Sequence, residues 1–549
     1  MPWILTRHFL VELTKVLVLT TTIIVVVVAF GAVIKPLTGN LLGPGGILKY
    51  IVLAMVPMLQ YALPFAAGFA ATIVTHRFAS DNEIQAMSVS GIPYRVILVP
   101  HAILGLILTV VMFFLVQTAI PRFWGLMSDV ITNDAAQVFV STIRSGESFR
   151  AGNFLIYADR ISLDESRGDA MQRIRLEGVA AIEVDAAGRM LTEFVARSGS
   201  ADLYADGSDL IVKVAFADAT VLRPGDATVA FMPLAQPMPT LIDRHWERSP
   251  KYLPWGELIA LTGDPSKGAV VTEARDRLRK AIGPALLIDR VGQQIAATGQ
   301  AELISEEAGR TYVIRDAMLG GSGLVPKPPA KRLTVEEREG SVAIREASVT
   351  SATLSGTAGA QGSLPPDRLD LSLVDPRARN LRPSGERTVR WPTRVVGLSV
   401  AHPTAQNASG SDASSFTLVA DATRIGAQTT LPLSAYAKRA TDALVAVTGA
   451  TNDTWYEAMS HVWMRFAQPI SVALVLLLGA VLAIWRRSSL PLTIYLLAFL
   501  PAIANVLLIA TGQSMIRGYQ LGLGASVMWG GNLILLALAL AVGRRMARH

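Results

Sequence analysis

The chain has no cysteine among its 549 residues. Disulfide bonds, thiolate metal sites and thiol nucleophiles are therefore excluded. The seven histidines are scattered without the paired spacing of metal ligands on one helix face, so we predict no metal site. A phosphate-binding loop is also missing, because the nearest stretch, from Gly263 to Gly268, lacks the Gly-Lys-Ser/Thr ending. We predict no catalytic residues, and a transport process that consumes energy would need a separate motor protein.

Charged residues are scarce as well. They make up 17% of the chain, against about 25% in a typical soluble domain, and the mean hydropathy is +0.40. The net charge of +7 would suit a nucleic-acid partner. Many of the lysines and arginines flank apolar runs, however, where membrane topology explains them better. We therefore predict a membrane protein with no nucleic-acid partner.

Six apolar runs have the length that a membrane span needs, about 20 residues. They form two groups of three, separated by a long and mostly polar segment. The predicted spans are about 16–34, 50–75, 96–120, 466–485, 490–511 and 525–542. The domain boundaries follow from them: 1–120 for the first three spans, 121–464 for the polar segment and 465–549 for the last three.

The orientation follows from the excess of positive charge that cytoplasmic loops carry. With a cytoplasmic N-terminus, the short outer loops carry only Lys35, Lys49 and Arg517. The cytoplasmic ends carry Arg7, Lys15, Arg77, Arg95, Arg486, Arg487, Arg544, Arg545 and Arg548. The segment 121–464 is then extracytoplasmic, which makes the chain a multi-pass protein of the bacterial inner membrane with a large periplasmic domain.

The extracytoplasmic segment alternates apolar and polar residues, as half-buried strands do. Strands are predicted at about 153–161, 178–184, 190–196, 210–216, 311–315, 341–346 and 394–400, with turns at Ala187-Gly188, Ser198-Gly199 and Asp206-Gly207. Short strands at this spacing indicate an all-β, jelly-roll-like domain. It is either two lobes, about 138–250 and 300–430, joined by a helical connector, or one lobe with a large insertion. The predicted fold class is thus membrane α-helical with an inserted β domain.

The loop between the second and third spans predicts a short helix at about 80–90. Ser80 and Glu83 have the spacing of a capping box, and Gly91 followed by Pro93 would end the helix. This amphipathic helix would place Glu83 in the cytoplasm near Arg77. It is either a docking element for a cytoplasmic motor or an interfacial helix whose glutamate only caps it.

Specific residues of this loop resemble the LptF/LptG (YjgP/YjgQ) permease family. The matching positions are Arg77, Asp81, Asn82, Glu83, Ile84, Ser90 and Gly91. The stretches 5–13, 461–469 and 523–533 are similar to the same family. The resemblance does not extend clearly over about 267–430, so the role of that region stays open, as does the choice between an LptF-like and an LptG-like subunit.

The resemblance implies a permease subunit that extracts lipopolysaccharide from the inner membrane and passes it to a periplasmic bridge protein. Its partners would be a second six-span permease subunit and a dimer of a cytoplasmic ABC ATPase. That ATPase would bind ATP and Mg²⁺, and this chain would hold no cofactor. The implied ATPase-coupling residues are Arg77, Asp81, Glu83, Ile84 and Gly91.

The resemblance also implies a lipid site at the outer end of the first span. Lys35 would contact lipid phosphates, with Phe30 and Ile34 beside the acyl chains. Lys35 could equally be a lysine that marks the membrane edge. Arg465, expected at the outer end of the fourth span, is either a second phosphate contact or an interfacial anchor.

Two other functions compete with this interpretation. A permease for another lipid or a lipoprotein often has its soluble domain after the first span, and the grouping of spans here is three and three. A membrane scaffold with a periplasmic β domain would be expected to carry a cytoplasmic signalling domain, and the predicted cytoplasmic parts are short. A membrane enzyme would need charged or histidine-rich clusters at membrane depth, which the predicted spans lack.

Overall fold

The computed structural model divides the chain into two compact units. The first comprises residues 1–265 and 453–549, and the second comprises residues 266–452. The structure describes residues 3–38, 44–127, 130, 149–151, 154–164, 172–184, 190–206, 209–223, 228–235, 240–242, 249–305, 309–320, 323–356, 368–381, 391–400, 413–428 and 433–546.

The first group of membrane helices lies in the first unit. It contains α1 (Trp3–Thr38), α2 (Pro44–Ser80), the short α3 (Glu83–Val89) and α4 (Tyr94–Met127). A π-helical turn at Leu115–Ala119 interrupts α4. The long apolar runs form helices because a helix satisfies every backbone polar group internally, which hydrocarbon demands.

The second group closes the chain. It contains α8 (Ser434–Trp485), α9 (Pro491–Arg517) and α10 (Leu521–Met546). With α1, α2 and α4, these are six helices long and apolar enough to cross a membrane, so the predicted spans are confirmed among the described residues. The fourth helix begins far before the predicted 466, because its first half is polar and a hydropathy criterion detects only the apolar half.

An antiparallel seven-stranded sheet follows the first helix group. Its strands are β1 (Phe149–Ala151), β2 (Phe154–Asp164), β3 (Gln172–Val184), β4 (Met190–Asp206), β5 (Asp209–Arg223), β6 (Thr228–Ala235) and β7 (Thr240–Ile242). The first six pair in sequence order, and β7 pairs with β5. This order is that of a meander, in which each strand pairs with the one just formed.

The predicted turn at Ser198-Gly199 is wrong, because β4 continues through both residues to Asp206. Gly199 pairs with Phe216 on β5, and a Cβ at Gly199 would lie 3.1 Å from that ring. The glycine therefore makes room for an aromatic side chain rather than a turn. The other two predicted turns, Ala187-Gly188 and Asp206-Gly207, lie wholly or partly outside the described residues.

Two helices precede the second sheet, as the helical pattern predicted. They are α5 (Trp255–Gly263), in the first unit, and α6 (Ala269–Thr298), in the second. The ten-stranded antiparallel sheet of the second unit contains β8 (Gln300–Ser305), β9 (Arg310–Arg315), β10 (Ala317–Gly320), β11 (Gly323–Pro326), β12 (Leu333–Glu339), β13 (Val342–Val349), β14 (Ser351–Gly356), β15 (Leu369–Val374), β16 (Arg377–Asn380) and β17 (Arg394–Val400).

The core of the second unit is closed by helices. Leu278, Ile282, Ile288 and Val291 of α6 are fully buried in one cluster with the apolar side chains of the sheet. The stretch 300–430 was predicted to be a strand-rich lobe, but it ends in a helix, α7 (Ala413–Gly426), whose apolar face joins the same core. The apolar face of this sheet is therefore covered by helices of the same unit, among them α6 and α7.

Candidate functional site

The short helix α3 forms as predicted, but not with the predicted cap. Its N-cap is Asn82, which has a left-handed backbone with φ of 60° and makes no side-chain cap hydrogen bond. Ser80 is the last residue of α2, and its Oγ lies 3.2 Å from His76 Nδ1. The capping box of Ser80 and Glu83 is thus wrong, because α2 extends far enough to direct Ser80 at its own preceding turn.

The end of α3 follows the prediction. Gly91 has φ of 83°, a conformation that costs glycine little and other residues more. Its N–H donates to the carbonyl of Ser88, and the N–H of Ile92 donates to the carbonyl of Met87. These bonds satisfy the last carbonyls of the helix in the manner of a glycine C-cap.

The two faces of α3 differ sharply. Ile84 and Met87 are 3% and 8% exposed and belong to a buried cluster with Phe9, Phe78 and Ile484. Burying an isoleucine side chain contributes about 2 kcal/mol, so this face fixes the helix to the bundle. On the other face Glu83 is exposed and Val89 is 84% exposed. The exposed face is available to a partner.

Arg77 lies just before α3, but its partner is not Glu83. Its Nη2 is 3.0 Å from Glu12 Oε2 on α1, and Lys15 Nζ is 3.0 Å from the other oxygen of Glu12. The predicted proximity of Arg77 and Glu83 is therefore not an ion pair. Asp81 and Glu83 both have exposed side chains. Two carboxylates are therefore accessible where α2 ends and α3 begins.

Two hydrogen bonds join the end of α2 and α3 to the loop 486–490 between α8 and α9. Arg487 Nη1 donates to Gln85 Oε1 at 2.7 Å. His76 Nε2 lies 2.8 Å from the carbonyl oxygen of Ser489. These contacts were not predicted, since the partners are about 400 residues apart and no local pattern reports such a pairing.

The predicted lipid residues lie along an open face of α1. Phe30 is 57% exposed and Ile34 is 60% exposed. Lys35 lies within the same helix, and its side chain is outside the described residues. Leu19, Ile23 and Val27 continue the exposed apolar face towards the N-terminus. This face is suited to lipid tails or to another apolar helix.

Arg465 lies within the continuous α8, directly before the apolar half of that helix. It is 2% exposed. Its Nη2 donates to the carbonyl oxygens of Leu253 and Lys251, at 2.7 and 3.2 Å. The guanidinium therefore holds the backbone of residues 249–254, which we call the connector, where the chain returns from the first sheet.

Arg465 is one of four polar residues that recur every fourth position along α8, a spacing that places them on one helix face. This spacing is visible in the sequence, although it was not predicted to mark a binding face. Glu457 accepts from Ser249 Oγ at 2.9 Å, and His461 lies 3.0 Å from Arg517 and 3.2 Å from Gln513 of α9. The first member is Asp453, which accepts from the Tyr519 hydroxyl. The face thus binds both the connector and α9.

Lys251 of the connector adds a further cation beside this polar face. Its Nζ lies 4.4 Å from the ring centroid of Trp124 and 5.5 Å from that of Tyr252, within the range of a cation–π interaction. Burial, and then the charge of Arg517, lowers the pKa of Lys251 from its ordinary value. This end of the first unit therefore concentrates positive charge next to aromatic rings.

Residues 3–213 match the family model described as lipopolysaccharide export system permease LptF/LptG. The match covers α1 to α4 and the first sheet as far as β5. It does not include the second unit or the last helix group. No curated protein matches the chain.

Proposed function

Because residues 3–213 match the family model of the LptF/LptG permeases, we propose that the chain is one membrane subunit of an ATP-driven lipopolysaccharide exporter. It would extract lipopolysaccharide from the bacterial inner membrane and pass it to a periplasmic bridge protein. The observation that supports this most strongly is that the matched segment includes α3 and its exposed carboxylates as well as the open apolar face of α1.

The proposed orientation places α3 and the loop 486–490 in the cytoplasm and both sheets in the periplasm. Arg486 and Arg487 lie at that end, as do Arg77 and Arg95 around α3. The two short outer connections, between α1 and α2 and between α9 and α10, are flanked by only two cations with described side chains, Lys49 near the start of α2 and Arg517 at the end of α9. Retention of positively charged loops in the cytoplasm accounts for this asymmetry.

The energy would come from a separate cytoplasmic ATPase dimer, which would bind ATP and Mg²⁺. The exposed side of α3, with Asp81 and Glu83, is its proposed docking surface, and Ile84 and Gly91 give that helix its buried face and its end. Arg77 acts indirectly, since its ion pair with Glu12 attaches the end of α2 to α1. Movement of the ATPase would then be transmitted to the bundle as rigid-body motion.

At the opposite end, the phosphates and acyl chains of the lipid need cations above an apolar surface. Phe30 and Ile34 supply part of that surface, and Lys35 is the proposed phosphate contact on the same helix. Arg465 is proposed to act through the connector, because two backbone carbonyls occupy one of its terminal nitrogens. A second six-span subunit would complete the site.

The test is co-expression with the neighbouring genes of the source genome, followed by purification and reconstitution. We expect an ABC ATPase and a second six-span subunit to co-purify, and ATP to drive lipopolysaccharide out of proteoliposomes. Glu83→Ala should lower transport and ATPase stimulation without loss of folded protein, because it removes the exposed carboxylate of α3. Glu257→Ala, which changes another exposed glutamate on a short helix, α5, is the matched control.

Absence of an ATPase from the complex, or full transport by the Glu83→Ala variant, would contradict the assignment. Export of a different lipid or of a lipoprotein by the same complex would keep the permease role and correct the substrate.

A further inference from the structure

Polar contacts attach the loop 486–490 to the end of α2 and to α3. The loop lies outside the residues that match the family model. A carbonyl oxygen only accepts hydrogen bonds, so His76 Nε2 must donate to Ser489 O across their 2.8 Å separation. In the neutral ring, Nδ1 then accepts from the Ser80 hydroxyl at 3.2 Å. Arg487 donates independently to Gln85 on α3 itself.

Apolar packing supports the same attachment. Ile84 and Met87 of α3 share one buried cluster with Val481 and Ile484 in the last turns of α8, and with Met546 at the end of α10. The exposed hydrogen bond of Arg487 contributes little to stability, because water competes for both of its partners. The apolar cluster therefore supplies the adhesion, while the polar contacts fix the direction in which α3 lies against the loop.

We propose that His76, Gln85 and Arg487 are positioning residues that make α3 move together with the second helix group. Without them, α3 would be attached to the second helix group by apolar packing alone, which does not fix the direction in which α3 lies. With them, a force on α3 also reaches α8 and α9 through the loop between those helices. This inference rests on the proposed function, in which α3 receives the force of the ATPase.

The first experiment compares two adjacent arginines in the reconstituted complex. Arg487→Ala should leave ATPase co-purification and ATP hydrolysis unchanged, while the lipopolysaccharide moved per ATP falls several-fold. Arg487→Lys should restore much of that ratio, because the ammonium still donates to Gln85. Arg486→Ala is the control, since Arg486 stacks on Trp485, 4.7 Å from its ring centroid, and not on α3.

A merely structural role for Arg487 would reduce the amount of assembled complex and leave transport per ATP unchanged. That result would overturn the inference. So would an equal fall in the lipopolysaccharide moved per ATP by the Arg486→Ala variant. Failure of the proposed function looks different, because then no ATPase co-purifies with the unaltered protein.

The second experiment uses the absence of native cysteines. The double variant Gln85→Cys, Arg487→Cys should react with a short bismaleimide in membranes, with or without ATP and vanadate. Bridging should raise transport per ATP above that of the unbridged variant, since it replaces the lost contact. Each single-cysteine variant treated with the same reagent is the control. Three results would each show that α3 and the loop separate: no crosslink, a crosslinking yield that falls when ATP and vanadate are added, or loss of transport in the crosslinked variant.

Discussion

At the scale of single residues, two buried charges, Arg465 and Glu337, are bound by other groups of the protein. Arg465 in the first unit holds backbone carbonyls of the connector. Glu337 in the second unit has a fully buried side chain between Arg310 and Arg345, each at 2.5 Å. Charged groups removed from water need such partners, and breaking one side of the arrangement is costly. Both residues therefore offer direct tests of the structure.

Arg465→Ala should release the connector. The substitution leaves the carbonyl oxygens of Lys251 and Leu253 without their donor, at a cost of about 2–3 kcal/mol. We expect faster amide exchange in residues 249–254, measured by hydrogen–deuterium exchange and mass spectrometry in detergent. Arg439→Ala, an exposed arginine on the same helix, should leave that exchange unchanged. Equal protection in both variants would show that the connector does not depend on Arg465.

The environment of Glu337 predicts that the stability of the second unit decreases in acid. Burial alone would raise its pKa, but the hydrogen bonds from Arg345 and Arg310 outweigh burial, and the pKa is lowered. A carboxyl whose folded-state pKa is lowered contributes stability above its unfolded value, about 4.3. This contribution is lost as the pH falls through the folded-state pKa.

Glu337→Gln should therefore weaken protection of β12 and β13 amides at pH 7 by about 2 kcal/mol. The difference from the unaltered chain should shrink as the pH falls from the unfolded-state pKa, about 4.3, through the lowered folded-state pKa, because the wild-type carboxyl then also becomes neutral. Asp442→Asn, at an exposed position of the same unit, is the control. A difference that does not vary with pH would contradict the charge-based explanation.

At the scale of elements, close contact of small residues joins the last two helices. A Cβ at Gly524 of α10 would lie 2.6 Å from the carbonyl oxygen of Gly512 on α9. Beside this contact, Asn505 donates to Asn532 at 3.3 Å, and Asn532 donates to the Ala467 carbonyl at 2.9 Å. Small residues permit backbones to approach, and polar side chains then bond across membrane helices.

Gly524→Ala should force α9 and α10 apart, because the obstructing atom belongs to the backbone and cannot rotate away. We expect a loss of about 1–3 kcal/mol, the usual cost of overpacking, seen as a lower unfolding temperature in detergent. Gly530→Ala is the matched control, since a Cβ there meets nothing within 4 Å. Similar unfolding temperatures for the two variants would argue against the close approach.

At the scale of the whole molecule, the family match and the division into units do not coincide. The match ends at 213, within the first unit, and the second unit, 266–452, lies entirely beyond it. In the described part of that unit, α6 and α7 pack on the apolar face of the ten-stranded sheet. An acyl chain entering this core would have to displace them, so the second unit is unlike an open lipid groove.

The proposed topology predicts opposite accessibility for two engineered cysteines. Val89→Cys lies on the exposed face of α3, and Val342→Cys lies on β13, where the native side chain is 58% exposed. In intact spheroplasts, a membrane-impermeant maleimide should label the second and not the first. Both should react after permeabilisation, and the cysteine-free parent should never react. Labelling of both, or of Val89→Cys alone, in intact cells would refute the orientation.

Local patterns alone determined the six membrane helices, seven of the seventeen described strands and the end of α3 at Gly91. Hydropathy, period-two alternation and glycine stops report the environment of neighbouring residues, and that environment is set within a few positions of the chain. The ATPase-coupling residues and the lipid residues on α1 were proposed from the family resemblance, and the structure adds only where they lie.

Only the tertiary structure decided which groups meet. The polar first half of α8, the pairing of Arg77 with Glu12, the burial of Arg465 against the connector and the contact of His76 with Ser489 were all missed. These features depend on partners up to 413 residues away. A hydrogen bond or ion pair selects its partner by distance and direction in space, and no spacing within one segment encodes that choice.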